Sequence, residues 1–325
     1  MKINYPVRSL LQPVGMLLAI LICLSAVSCG GNIPSDEAER EDTVELTDAL
    51  GRSVSVRKAP ERVAALLGSF ADVWCLAGGS VCAAPRDAWE DFGLDREGVT
   101  DLGGAHSPSL EALVSASPEL VIASASTASN VSMREPLEAM GITVIYFDVD
   151  CFEDYLYMLD VCTRITGHRE LYEENGLFLK ARIDEIKALY SSADIPSSER
   201  RVLLLRVSAG MVKAKGSEGT VLGEMLADMG CVNIADGNAT LSEGLSVEAV
   251  IREEPYHIFA VTMGNDAEGA KLTLENMLKE DPAWGRLSAV REGRVHIMDK
   301  RLFNMKPNAR WSEAYGILYE VLTEK

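Results

Sequence analysis

The stretches PSLEALVSASPELVIA (residues 108–123) and LSVEAVIREEPYHIFA (residues 245–260) carry the same pattern twice. Each reads Ser-x-Glu-Ala, beginning at Ser109 and at Ser246. Each has a proline nine residues after the serine, Pro118 and Pro255, and then an apolar run. A serine ahead of an apolar-periodic run is a helix N-cap, and a glutamate in the first turn suits the positive end of the helix dipole. The proline stops the helix, and the apolar run after it reads as a buried strand. One helix–turn–strand unit is therefore written in both halves of the chain.

Two further anchors fall in the same order around it. RVAALLGS (62–69) matches RVLLLRVS (201–208), and GITVIYFD (141–148) corresponds in place to GRVHIMD (293–299). In the first half a hairpin over 44–56 precedes a strand over 62–68. A helix over 69–79, a strand over 80–85, the repeated unit, a helix over 134–141 and a strand over 142–148 follow. The second half restarts with a strand over 201–208 and ends in a helix over 309–324. Strands alternating with helices imply parallel pairing, since parallel neighbours need a crossover connection. Between the halves, residues 152–192 have helical period and no strand, with Gly167 as an interruption. The expected fold class is α/β: two Rossmann-like lobes joined by a long linking helix, with the ligand cleft between the lobes.

The chain is 325 residues long, enough for a sizeable core, and 47% of it is apolar. A formal net charge of −18 argues against nucleic acid, whose footprint is a basic patch. At the N-terminus, Lys2 and Arg8 precede an apolar run that ends in Ala26-Val27-Ser28-Cys29. That is an export signal resembling a bacterial lipobox, with Ala26 where leucine is usual and Cys29 as the lipidated residue. A plain transmembrane anchor is the alternative. Residues 30–43 read as a flexible tether. The expected organisation is signal and lipobox 1–29, tether 30–43, N-terminal lobe 44–151, linking helix region 152–192 and C-terminal lobe 193–325. After Cys23 and Cys29, five cysteines remain, with no C-x-x-C, and are expected as small buried residues.

At this point the chain resembles a known family: the substrate-binding lipoproteins of ABC importers for ferric siderophores, haem and cobalamin, the helix-linked class of periplasmic binding proteins. The resemblance covers roughly residues 44–322. Its carriers are DALGRSVSVRKAPERVAAL (48–66), DLGGAHSPSLEALVSASPELVIAS (101–124), DMGCVNIA (228–235), LSVEAVIREEPYHIFAV (245–261), DPAWGRLSAVREGRVHIMD (281–299) and KPNARWSEA (306–314). It implies a ligand held between lobes that close only slightly, and a monomer delivering it to an ABC permease dimer with separate ATPase subunits. It also implies an extracytoplasmic, lipid-anchored location. Glu111 and Glu248 match the glutamates that meet permease arginines in this family; as helix first-turn residues they are equally at home with no partner.

Ligands of open α/β sheets collect at the carboxyl ends of the strands. That rule nominates the loops at 67–70, 84–89, 124–130, 148–152, 208–213, 241–244, 262–266 and 300–310. Within them Arg86, Lys213, Arg301 and Arg310 suit an anionic group, and Trp89 and Phe303 a flat one. Tyr146 is a further aromatic candidate, and Trp311, which begins a helix, reads as packing. None of the four histidines, His106, His168, His257 and His296, shows paired metal-ligand spacing. No metal site and no resident cofactor are expected, and the cargo is expected to be a metal chelate. Were it haem, His106, Met133, Met211, Met263 and Met305 are the conceivable axial ligands. A ferric siderophore supplies its own iron ligands, and a corrinoid needs mainly apolar walls, so an iron complex is the expected cargo and a corrinoid the alternative. Against an enzyme stand the missing G-x-S-x-G elbow, P-loop and G-x-G-x-x-G. An enzyme or a sensor on the same fold is the remote alternative.

Overall fold

A computed structural model describes residues 42–264 and 266–324. The signal segment, Cys29 and nearly all of the tether lie outside the described residues. No helix among the described residues is long and apolar enough to cross a membrane.

The hairpin β1 (Thr43–Thr47) and β2 (Ser53–Arg57) turns on Asp48, whose carboxylate accepts the backbone N–H of Leu50 and of Arg52. The first lobe is then built from β3 (Val63–Ala65), β4 (Ala83–Ala84) and β5 (Thr100–Asp101). A small hairpin of β6 (Gly103–Gly104) and β7 (Ser107–Pro108) precedes β8 (Leu120–Ser124) and β9 (Thr143–Phe147). Its sheet is wholly parallel in the order β5-β4-β3-β8-β9. The second lobe has β10 (Arg201–Ser208), β11 (Met211–Lys215), β12 (Val232–Asn233), β13 (His257–Thr262) and β14 (Val295–Met298), in the order β11-β10-β13-β14 with β12 also on β10.

The textual repeat is thus a topological one. β3-β8-β9 and β10-β13-β14 are the same parallel triplet, and the repeated helix is Leu110–Ser115 in one lobe and Val247–Glu253 in the other. Both caps form: Ser109 Oγ accepts from Ala112 N at 3.2 Å, and Ser246 Oγ from Ala249 N at 3.3 Å. β8 and β13 are buried along their whole length, as central parallel strands covered on both faces should be.

The linking region is interrupted at Gly167, as its sequence predicts. Phe152–Thr166 ends at Gly167, which takes φ +86, a left-handed conformation that glycine adopts freely. A short turn at Glu170–Tyr172 and a π-turn at Glu173–Leu177 then lead into Phe178–Ser192. A Cβ at Gly176, within that π-turn, would lie 3.0 Å from the Leu156 side chain, which would have to give way. One edge departs from expectation: β11 is an antiparallel edge strand where a cleft loop is expected.

One core cluster spans both lobes and the linker, beside a further cluster within each lobe. It holds Ile122 of the first sheet, Leu204 of the second, Leu159 and Ile186 of the linking helices, and Trp311 and Leu318 of the final helix, Trp311–Thr323. Because interiors pack densely, such a shared core resists wide rotation of one lobe against the other. The five cysteines among the described residues are free, with Cys162 and Cys231 buried.

On the side of the second sheet away from β11, His257 Nδ1 and His296 Nε2 lie 2.9 Å apart, beside Tyr256, Arg294 and Glu324. Burial, then the neighbouring His296 and Arg294, lowers the His257 protonation midpoint to about 4. An unfolded imidazole titrates near 6.5, so between those values only the unfolded chain binds the proton. Stability is therefore expected to fall as pH drops from about 6.5 toward about 4, by at most about 1.4 kcal/mol per pH unit from this group, and to level off below. Urea unfolding at pH 7, 5.5 and 4.5 measures the slope, and His257→Gln should flatten it.

Candidate functional site

The carboxyl ends of the two sheets face one cavity of about 440 Å³. From the first lobe come Leu67, Ser69 and Phe70 after β3, Ser124, Ser126 and Thr127 after β8, and Val149 after β9. Asp87, Asp91, Phe92, Ala105 and His106 complete that wall. From the second lobe come Arg206 of β10, Met263 and Gly264 after β13, and Lys300, Asn304, Met305 and Lys306 after β14. Among the described residues no group of three or more His, Cys, Asp or Glu side chains is placed to hold a metal ion.

The walls differ in charge. The second-lobe wall carries Arg206, Lys300 and Lys306. Lys306 Nζ sits 2.9 Å from Asp150 Oδ1, and Lys300 Nζ donates to the Gly264 carbonyl at 3.3 Å. Arg206 is half-buried, and its guanidinium has no hydrogen-bonding protein acceptor among the described residues. Burial lowers its pKa, and the Asp150 charge partly restores it. The first-lobe wall carries Asp87 and Asp91. Asp87 Oδ2 accepts from Gly68 N at 2.9 Å, while its other oxygen is buried without a partner. Burial raises the Asp87 pKa, which favours the neutral acid. The space for that contact exists because residue 68 is glycine: a Cβ there would lie 2.4 Å from the Ala88 nitrogen.

The loops nominated by the strand-end rule supply most of the lining, yet the side chains singled out within them do other work. Arg301 links the lobes: it donates to the carbonyls of Asp91 at 3.1 Å and Lys306 at 2.6 Å, stacks on Phe92, and lies 3.8 Å from Asp72. It shapes the wall from behind. Nearby, Asn308 adopts φ +56 and donates to Ser69 O and Asp72 Oδ2, both at 2.8 Å, closing the base of the cleft. Phe303 is 2% exposed and belongs to the core. Arg310 forms a two-pronged pair with Glu313, with both distances 2.7 Å, and lies outside the cavity lining. Arg86 is exposed and pairs with Asp101; Trp89 packs on the core under the Arg96 guanidinium. Lys213 stands on the edge strand β11, beside a separate small cavity.

Arg206 lies inside a strand rather than after one, so the strand-end rule does not nominate it. The signal was present: RVLLLRVS places a charge in an otherwise apolar buried strand, which is costly unless the charge is used. His106, Met263 and Met305 do line the cavity. Met133 is buried in the first-lobe core, and Met211 is on β11. Glu111 and Glu248 are exposed in the first turns of their helices. Each lies in the first turn of the helix that leads into a central strand, β8 in one lobe and β13 in the other. Hydrogen bonds from its own backbone N–H and from Ser246 lower the Glu248 pKa.

Comparison with known proteins agrees with this architecture. The sequence model of the periplasmic binding protein family matches residues 63–302. A putative ABC transporter substrate-binding lipoprotein of Bacillus subtilis (strain 168), YhfQ, is 22% identical over 309 residues, covering 90% of this chain and 91% of its own. The Fe(3+)-citrate-binding protein YfmC of the same organism is 24% identical over 291 residues, covering 88% and 87%. Among solved structures, Staphylococcus aureus SirA complexed with staphyloferrin B shares the fold with a TM-score of 0.66 and 20% identity, over 86% of this chain and 98% of that one. With two pseudo-repeated lobes, a helical linker and a cleft at the strand ends, this chain belongs to the periplasmic binding protein family.

Proposed function

We propose that this protein is the extracytoplasmic, lipid-anchored substrate-binding component of an ABC importer, and that its cargo is an anionic ferric chelate. The observation that carries the reading is the half-buried Arg206, with no acceptor among the described residues, on a cleft wall that also carries Lys300 and Lys306. A guanidinium facing a cavity is suited to a carboxylate or another planar oxyanion. A chelate brings its own iron ligands, so the protein needs only charge, shape and a few polar contacts. The likeness to a relative named for Fe(3+)-citrate supports the same class of cargo. Delivery is to a permease dimer met through Glu111 and Glu248, with ATP hydrolysed by separate subunits and no catalytic step in this chain.

Haem is the second reading, because His106, Met263 and Met305 line the same cavity and are possible axial ligands. Native mass spectrometry on residues 30–325 separates these. The protein is offered anionic ferric chelates (citrate, catecholate and hydroxycarboxylate types), haemin and cyanocobalamin. One retained ferric chelate is the expected result. Retention of haemin, with an absorption spectrum altered by His106→Ala, would establish the second reading. Retention of cyanocobalamin alone would replace both with a corrinoid receptor.

A further inference from the structure

We propose that Asp150, as the carboxylate paired with the cavity-lining Lys306, competes with an acidic group of the cargo for that lysine and so limits how tightly anionic cargo is held. The inference rests on the anionic-chelate reading above. Asp150 Oδ1 lies 2.9 Å from Lys306 Nζ, and the two residues are 156 positions apart in sequence. They come from opposite sides of the cleft: Asp150 follows β9 of the first lobe, and Lys306 lies on the segment that leaves β14 of the second. Lys306 lines the cavity, so Asp150, its carboxylate partner, competes directly with anything acidic that enters. Arg206, the other cation on this part of the wall, feels the same Asp150 charge.

The physical consequence is an exchange of counter-anions. Leaving Lys306 and Arg206 without one is unfavourable in a partly desolvated cleft, and Asp150 supplies it while the cleft is empty. An entering carboxylate must displace Asp150 or be held against its charge; like charges brought together at an interface oppose binding. When cargo leaves, Asp150 takes its place again, which favours release. Neutral cargo has no reason to break the pair, so its binding does not depend on Asp150. The lobe-to-lobe tie made by Lys306 and Asp150 is exchanged for one that runs through the cargo.

The test compares wild type with Asp150→Asn, using Asp150→Ser as a second variant should the first not fold. Equilibrium titration and stopped-flow release are measured with the same panel of anionic ferric chelates, a neutral ferric trihydroxamate, haemin and cyanocobalamin. The expected result is anionic binding tightened about tenfold, mostly through slower release, with neutral cargo changed less than about twofold. Anionic binding that is equal or weaker in the variants overturns the proposal and leaves the function standing. If no anionic chelate binds either protein while haemin or cyanocobalamin does, the anionic-chelate reading fails and this inference fails with it.

Discussion

Arg206→Met should weaken binding of an anionic ferric chelate about a hundredfold while leaving the fold intact. Removing one partner of a buried, hydrogen-bonded charge pair typically costs 2–5 kcal/mol, and the loss falls mainly on the dissociation rate. Two features place Arg206 in that range. It is half-buried on β10, so its charge is weakly screened, and no acceptor among the described residues uses its guanidinium, so its hydrogen bonds remain for cargo. Stability is expected to hold or rise. Burial already disfavours the charged form, and Asp150 keeps Lys306 as its partner when the arginine is gone. Arg310→Met is the control, because that side chain is spent on Glu313 outside the cavity. Isothermal titration of the two variants decides the matter. Equal affinities in Arg206→Met and wild type would take the basic wall out of recognition.

The second large effect is on transport alone. Glu111→Ala with Glu248→Ala should reduce cellular uptake at least about tenfold, while cargo affinity of the purified protein stays within about twofold. Both carboxylates are exposed and neither lines the cavity. Their helices keep their serine caps, so the folded state changes little. Pseudo-symmetry makes the expectation sharper. One glutamate at the same place in each lobe can meet two identical permease subunits, so each single variant should lose part of the uptake and the double variant most of it. A charge reversal at one permease arginine should mimic a single variant. Undiminished uptake by the double variant would remove these residues from docking.

The amino-acid sequence determined the repeat. Ser109 and Ser246 cap helices, Pro118 and Pro255 end the turns that follow them, and apolar runs make β8 and β13. These are local effects, set by backbone sterics, capping and side-chain periodicity, and they need no distant partner. Together with alternation of strand and helix they are enough to specify two parallel lobes and to nominate the loops between them. The break at Gly167 was legible for the same reason.

Tertiary structure alone decided which side chains in those loops face the cleft. Arg301, Phe303 and Arg310 lie within eleven residues, 300–310, and look equally available in sequence; in space one braces Phe92, one fills the core and one pairs with Glu313. The direction of a side chain is set by what packs behind it, and those neighbours come from far along the chain. Lys306 meets Asp150 across 156 positions, and Asn308 meets Ser69 across 239. Long-range pairing of this kind has no period and no local signature, so the folded chain is the first place it can be read.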